Sequence, residues 1–330
     1  MAAWCGARLA AFAPEGAAKI ARQGVGTSMM ANRSLGMLRR SKVTGAAKGD
    51  ESVTAERTWG TIQTQAEAQI KKLSLSPFGV QDLLCADVLE HHSLGAGLAF
   101  EVGSKLSANS QSGHVKYREI MLSAFSADPS ICDAVAADIE RFKVVDPACD
   151  GLLGVYMFYK GVHALACARV AHHFWTEGGE TGKIIARLLQ SEMADVFGVD
   201  IHPGCRLGKG ITIDHATGVT LGETCVIGDN VYIMHDVTLG ATGTSKEHDR
   251  HPKIGNEAFL GAKCTVLGNV RVGNKATVAA AALVMKQDVP DGYTAVGMPP
   301  SARLIAPKAD RLSEDDASAM DLGQAMGSRL

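Results

Sequence analysis

The chain has 330 residues, a formal charge of -2 and 46% hydrophobic residues, a size that accommodates two domains. The near-neutral charge gives no electrostatic footprint for nucleic acid, and no apolar run reaches the length of a membrane span, so neither partner is expected. Aromatic residues are scarce at 5% and glycines number 36, a balance that suits tight turns and small repeated side chains. The 8 cysteines show no C-x-x-C or other paired spacing, which argues against a disulfide framework or a zinc knuckle and for a reducing compartment.

Residues 1–54 are Ala/Gly/Ser-rich and basic: over residues 1–50, Arg8, Lys19, Arg22, Arg33, Arg39, Arg40, Lys42 and Lys48 stand against Glu15 and Asp50. That composition, without the compact apolar core of a secretory signal, predicts a transit peptide and a mitochondrial or plastid location. The alternative is a basic tail on a cytoplasmic protein.

Across 55–198 apolar residues recur at helical spacing, as in Ile184, Ile185, Leu188, Leu189, Met193, Val196 and Phe197. Breaks at Ser76-Pro77, Asn109 to Gly113, Asp128-Pro129, Asp146-Pro147 and Gly178-Gly179 divide this stretch into several helices. The pairs His91-His92 and His172-His173 are expected on helices in structural roles, and Cys149 is given no role.

At Val199 the period changes to six. Ile201, Leu207, Ile213, then Leu221, Ile227, Ile233, Leu239, then Ile254, Leu260, Val266, Val272, Val278 and Val284 hold one register. Four places after most of them stands a small or β-branched residue, such as Cys205, Thr217, Cys225, Val231, Cys264 or Ala276. Two inward positions per hexapeptide predict a parallel β-helix over 199–305, with Cys205, Cys225 and Cys264 as core fillers. Glycine frequently follows the first inward position (Gly208, Gly228, Gly255, Gly261), where a corner with positive φ is expected. The predicted class is α + β, helices first and β-helix second. Residues 306–330 read as an acidic tail, with Glu314, Asp315, Asp316 and Asp321, ending in Leu330.

The six-residue register fails twice. Ile213 to Leu221 spans eight residues, the extra pair lying in Asp214-His215-Ala216-Thr217-Gly218, and Leu239 to Ile254 spans fifteen, leaving a loop over 241–253. Places where a regular pattern is given up are where function is expected.

These stretches, with Val199-Asp-Ile-His-Pro-Gly204, Val237-Thr-Leu-Gly-Ala-Thr-Gly243, Asp249-Arg-His-Pro-Lys-Ile254 and Asp146-Pro-Ala-Cys-Asp150, resemble the serine acetyltransferase family over residues 58 to 305. The resemblance implies a left-handed β-helix of three hexapeptides per coil. It also implies homotrimers joined by the helical domains into hexamers, with the active site between subunits. Its reaction would be acetyl transfer from acetyl-CoA to the L-serine hydroxyl in cysteine biosynthesis, without a metal. With three hexapeptides per coil, Leu221 stacks beyond Ile201, Ile233 beyond Ile213 and Leu239 beyond Leu221. Asp200 then lies beneath Thr220, near the enlarged corner of His215, and His235 lies one coil from His215.

Serine must lose its hydroxyl proton as it attacks the thioester, a task for a histidine near neutral pH, so His215 is the expected general base. Asp200 would orient it through its other ring nitrogen, and the resemblance assigns the same roles. By resemblance, Asp146 and Asp214 take the substrate ammonium, Arg250 with His251 takes its carboxylate, and Ala241, Thr242, Ala262 and Ala280 line the acetyl-CoA track. The chain departs from the family at Ala241, Thr244 and Ala279 to Ala282, which places extra methyl groups along that track and removes a lysine. The tail ending in Leu330 stands where the family binds cysteine synthase (O-acetylserine sulfhydrylase).

Rival readings are a hexapeptide acyltransferase with another hydroxyl acceptor, a metal-dependent hydratase using His215, His235 and His251, and a scaffold without catalysis. The helical domain with Asp146-Pro147 is not needed by the first. Asp200 and the Asp-Arg-His loop argue against the second, and the two interruptions are unexplained by the third.

Overall fold

The computed structural model describes residues 53–73, 79–110, 113–243, 248–298 and the backbone of 303–305. The expected transit peptide, apart from its last two residues, and the acidic tail lie outside these residues, as does Thr244.

Among the described residues eight α-helices come first: α1 Ala55–Lys72, α2 Val80–Leu84, α3 Leu94–Asn109, α4 Tyr117–Ala127, α5 Ser130–Val145, α6 Leu152–Phe158, α7 Lys160–Glu177 and α8 Gly179–Phe197. A π-helical turn, Cys85–Leu89, continues α2. Side-chain caps start two of them, Thr54 accepting from Arg57 N at 3.3 Å and Ser93 from Ala96 N at 3.2 Å. Glycine ends α8, where Gly198 takes φ 69°. The expected breaks at Asp128-Pro129, Asp146-Pro147 and Gly178-Gly179 are present, Ser76-Pro77 lies outside the described residues, and the helices also break ahead of Ser93 and at Tyr159, where the sequence placed none. His172 and His173 are in α7, but His91 and His92 lie in the turn before α3, because the helix stops at Leu89 and the next one starts only after the extended Ser93 cap.

The helical core is built from Trp59, Ile62, Leu98, Tyr117, Phe142 and Tyr156, with the middle of α7 buried throughout. Asp138 of α5 is fully buried and receives Arg169 of α7 through three hydrogen bonds of 2.8–3.1 Å. Its Oδ1 also accepts from Ile211 N at 2.7 Å, and Arg169 donates to Gly208 O at 2.6 Å. This ion pair therefore joins two helices to the first coil of the β-helix.

From Val199 the described residues wind through fourteen short parallel strands in three sheets. The first holds β1 Val199–Ile201, β4 Val219–Leu221, β7 Thr238–Gly240, β10 Thr265–Leu267 and β13 Leu283–Met285. The second holds β2 Arg206–Leu207, β5 Val226–Ile227, β8 Lys253–Ile254 and β11 Arg271–Val272. In the third are β3 Thr212–Ile213, β6 Tyr232–Ile233, β9 Phe259–Leu260, β12 Thr277–Val278 and β14 Thr294–Val296, closed by the antiparallel β15 Arg303–Ile305. Every third strand joins the same sheet, so three hexapeptides make one coil of the left-handed β-helix. The register pairs Ile201 with Leu221, Asp200 with Thr220, Ile213 with Ile233 and Leu221 with Leu239, as the coil count predicts.

The inward residues are buried, including Cys205, Cys225 and Cys264. Leu207 is half-exposed, and Thr217 is exposed rather than inward. In the eight-residue step Ala216 and Val219 are buried instead, because counting back from Leu221 gives Val219 the inward place.

The glycine expectation is also corrected. Gly208, Gly228, Gly255 and Gly261 are not among the residues with positive φ, a conformation carried instead by Asn230, Asp236, Glu257, Lys263, Lys275 and Ala281. Close approach of the next coil excludes a side chain at those glycines: a Cβ on Gly255 would lie 2.7 Å from Asn274 N and Gly273 C. One corner also carries a ladder in which Asp229, Asn256, Asn274 and Asp291 each accept from a backbone N–H of the preceding coil at 2.9–3.0 Å. Gly255→Ala should force the coils apart and destabilise the fold by about 1–3 kcal/mol. A lowered urea midpoint checks this, and an unchanged one contradicts it.

Candidate functional site

The three sheets meet along edges, and the residues singled out in the sequence, apart from Asp146 at the end of α5 and Asp200 within β1, fall on two of them. The edge between the third and first sheets carries 214–218, 234–237, 261–264 and 279–282 in successive coils. Asp214, His215, His235, Ala262 and Ala280 therefore stack along one line. The edge between the first and second sheets carries 222–225 and 241–252, hence Ala241, Thr242, Arg250 and His251.

On the first edge, the two-residue insertion turns the backbone outward with φ 57° at His215 and 62° at Ala216, and buried Ala216 anchors it. The His215 side chain is 71% exposed, with Nε2 3.6 Å from Asp214 Oδ2. Its ring meets His235 edge-on at 5.7 Å between centroids. Helix α7 braces the corner: Lys160 Nζ donates to Thr217 Oγ1, and Gly161 lies so close to Ile213 O that a Cβ there would collide with it.

Asp146, at the C-terminal end of α5, accepts from Ala148 N at 2.8 Å and from Tyr159 OH at 3.3 Å. Asp214 accepts from Tyr232 OH at 3.0 Å. Burial, then the charge of Asp146, pushes the Tyr159 phenol up to about 12, and burial followed by Asp214 pushes Tyr232 up further, so both remain donors. Asp146, Asp214 and His215 are thus gathered where the helical domain meets the β-helix.

Asp200 differs from expectation. It lies beneath Thr220 as counted, but its Oδ1 accepts from Gln190 of α8 at 2.7 Å. Among the described residues the carboxylate at ion-pair distance from His215 is Asp214, because Asp200 points from the face of the first sheet rather than from its edge.

On the second edge, Thr224 organises the loop. Its Oγ1 accepts from Arg250 N at 3.2 Å and His251 N at 3.1 Å, while its own N–H donates to His251 Nδ1 at 3.2 Å. Burial, reinforced by the Arg250 charge, lowers the His251 pKa. With Nδ1 accepting, the neutral ring carries its proton on Nε2, a donor for a carboxylate. Arg250 donates to Glu223 Oε2 at 2.9 Å and to His248 O at 3.2 Å, leaving further N–H groups of its fork. His202 sits at the same edge one coil earlier, its Nδ1 accepting from Gly204 N at 3.0 Å.

From Gly218 to Gly222 the chain crosses the first sheet in four residues, about 13 Å of extended strand. His215 and Arg250 therefore do not converge within one chain, and neither do His215, His235 and His251. The acetyl-CoA positions divide in the same way, Ala262 and Ala280 on one edge, Ala241 and Thr242 on the other. At the edge of His215, Ala281 holds φ 57° with an exposed methyl. Tyr159, Tyr232, Glu223, Thr224 and Gln190 were not singled out by sequence. The signal for Tyr232 was an aromatic residue at an outward position beside inward Ile233.

The model of the N-terminal domain of serine acetyltransferases matches residues 58–167, and a hexapeptide repeat model of succinyl-transferases matches 198–234 and 253–284. Serine acetyltransferase 5 of Arabidopsis thaliana is 40% identical over 255 residues, covering 77% of this chain and 79% of that protein. The structure of soybean serine acetyltransferase complexed with serine superposes with a TM-score of 0.69 at 42% identity, over 76% of this chain and 98% of that one. A serine acetyltransferase structure in complex with CoA gives 0.68 at 34% identity, over 76% and 99%. With identity at this level running through both the helices and the β-helix, the chain belongs to the serine acetyltransferase family.

Proposed function

We propose that this protein transfers the acetyl group of acetyl-CoA to the hydroxyl of L-serine, with His215 as general base, in a site formed by two neighbouring chains. The observation that carries the mechanism is the convergence of Asp146, Asp214 and exposed His215 at the one corner where the six-residue register gains two residues. A serine whose ammonium meets the two carboxylates offers its hydroxyl to the His215 ring. His215 takes the hydroxyl proton as the oxygen attacks the thioester carbonyl, the carbon–sulfur bond then breaks, and the imidazolium returns the proton to the leaving thiolate.

Separation of the two edges supports a trimer, since Arg250 and His251 of an adjacent chain would supply the carboxylate contacts that one chain lacks. Acetyl-CoA would then lie between Ala262 and Ala280 of one chain and Ala241 and Thr242 of the next. Asp200, the family's partner for the second ring nitrogen of His215, is assigned that role in the assembly, where it would have to exchange the Gln190 contact it makes within one chain. Transfer of the chain to an organelle by residues 1–54, and docking of cysteine synthase on the tail ending in Leu330, remain proposals from the sequence.

Arg250→Ala tests the carboxylate assignment. Loss of a charge-assisted contact should raise the KM for serine by about ten-fold or more and leave the KM for acetyl-CoA nearly unchanged. An equal rise in both would contradict it.

A further inference from the structure

Two carboxylates that face one substrate ammonium repel each other when the subsite is empty, and each tends to swing into solvent or take up a proton. The structure holds both in place with phenols. Asp146 and Tyr159 come from the helical domain, Asp214 and Tyr232 from the β-helix, and the hydrogen bonds are 3.3 and 3.0 Å. The pairs face each other: Asp146 and Tyr159 both act electrostatically on Tyr232. Each phenol is fixed by an aromatic neighbour. Tyr232 stacks on Phe259 at 5.3 Å and 26°, and Tyr159 meets Phe142 edge-on at 5.0 Å and 85°.

We infer that Tyr159 and Tyr232 are positioning residues of the amino-acid subsite, each orienting one carboxylate so that the pair selects an acceptor bearing a primary ammonium. This rests on the assignment of Asp146 and Asp214 to the serine ammonium. A carboxylate offers about four acceptor positions, so one phenol fixes its rotamer and leaves lone pairs for the substrate. Both rings are pinned before substrate arrives, so the ordering cost is met in folding rather than in binding. Removing only the hydroxyl keeps the ring contacts and frees the carboxylate oxygen it held, Asp146 retaining through its other oxygen the bond from Ala148 N.

The test compares L-serine with the hydroxy acid that is serine without its amino group, which keeps the hydroxyl and carboxylate. The variants are Tyr159→Phe, Tyr232→Phe and Asp214→Asn in the full-length chain. Each tyrosine variant should lower the ratio of kcat/KM for serine to that for the deaminated acceptor by about ten-fold, through the serine KM, with the acetyl-CoA KM unchanged. Asp214→Asn should lower the ratio further. If the tyrosine variants reduce both acceptors equally, the phenols serve packing alone and the inference is overturned. If Asp214→Asn leaves the ratio unchanged, the ammonium assignment itself is wrong and the inference falls with it. Where the deaminated acceptor turns over too slowly to read, titration calorimetry of L-serine replaces the ratio. The Kd should then rise about ten-fold in each tyrosine variant, and an unchanged Kd overturns the inference.

Discussion

His215→Ala should reduce serine-dependent CoA release by about a hundred- to ten-thousand-fold, the range general base catalysis supplies. The loss should appear in kcat, since the ring contributes to proton removal rather than to holding the ammonium or carboxylate. Folding should be little affected, because the His215 side chain is 71% exposed and the corner is anchored by buried Ala216 and by Lys160 bonded to Thr217. A variant with an unchanged thermal midpoint and turnover within about ten-fold of wild type would remove His215 from the mechanism.

Asp138→Ala is expected to have the largest effect on stability. It leaves the Arg169 guanidinium, 8% exposed, without its carboxylate, and it also strips the acceptor from Ile211 N. Removing one partner of a buried pair costs about 3–5 kcal/mol, whereas replacing both by apolar groups is often close to neutral. Asp138→Leu with Arg169→Met should accordingly recover much of what Asp138→Ala loses in urea unfolding. Because the pair joins α5 and α7 to the first coil, the single variant should also lower activity although Asp138 makes no contact with the proposed site. A single variant within about 1 kcal/mol of wild type would show that the pair does not carry this joint.

The β-helix was legible because its core rule is local: two inward positions every six residues, checked by the pairing of Ile201 with Leu221 and Ile213 with Ile233. The helix breaks at Asp128-Pro129, Asp146-Pro147 and Gly178-Gly179 were legible through proline and glycine, whereas those ahead of Ser93 and at Tyr159 carry neither signal. What pattern could not give was the reason for the glycines, since close approach of a neighbouring coil is a tertiary property, while the positive φ passed to residues such as Asn230 and Lys263. Thr217 escaped the inward set because an insertion shifts the register on only one side of itself. Partners were harder still. Tyr159 reaches Asp146, and Tyr232 reaches Asp214, across 13 and 18 residues of sequence. Asp200 was counted to the correct strand partner, yet Gln190 of the preceding helix holds it.

In the proposed mechanism the division of Arg250 and His215 between two edges makes assembly part of the chemistry, and the reaction itself is the most direct check. Purified protein is mixed with acetyl-CoA, and free thiol is followed with and without L-serine. The proposed mechanism predicts CoA release that depends on L-serine and saturates with it. Release that is absent, or equal when serine is omitted, would contradict it.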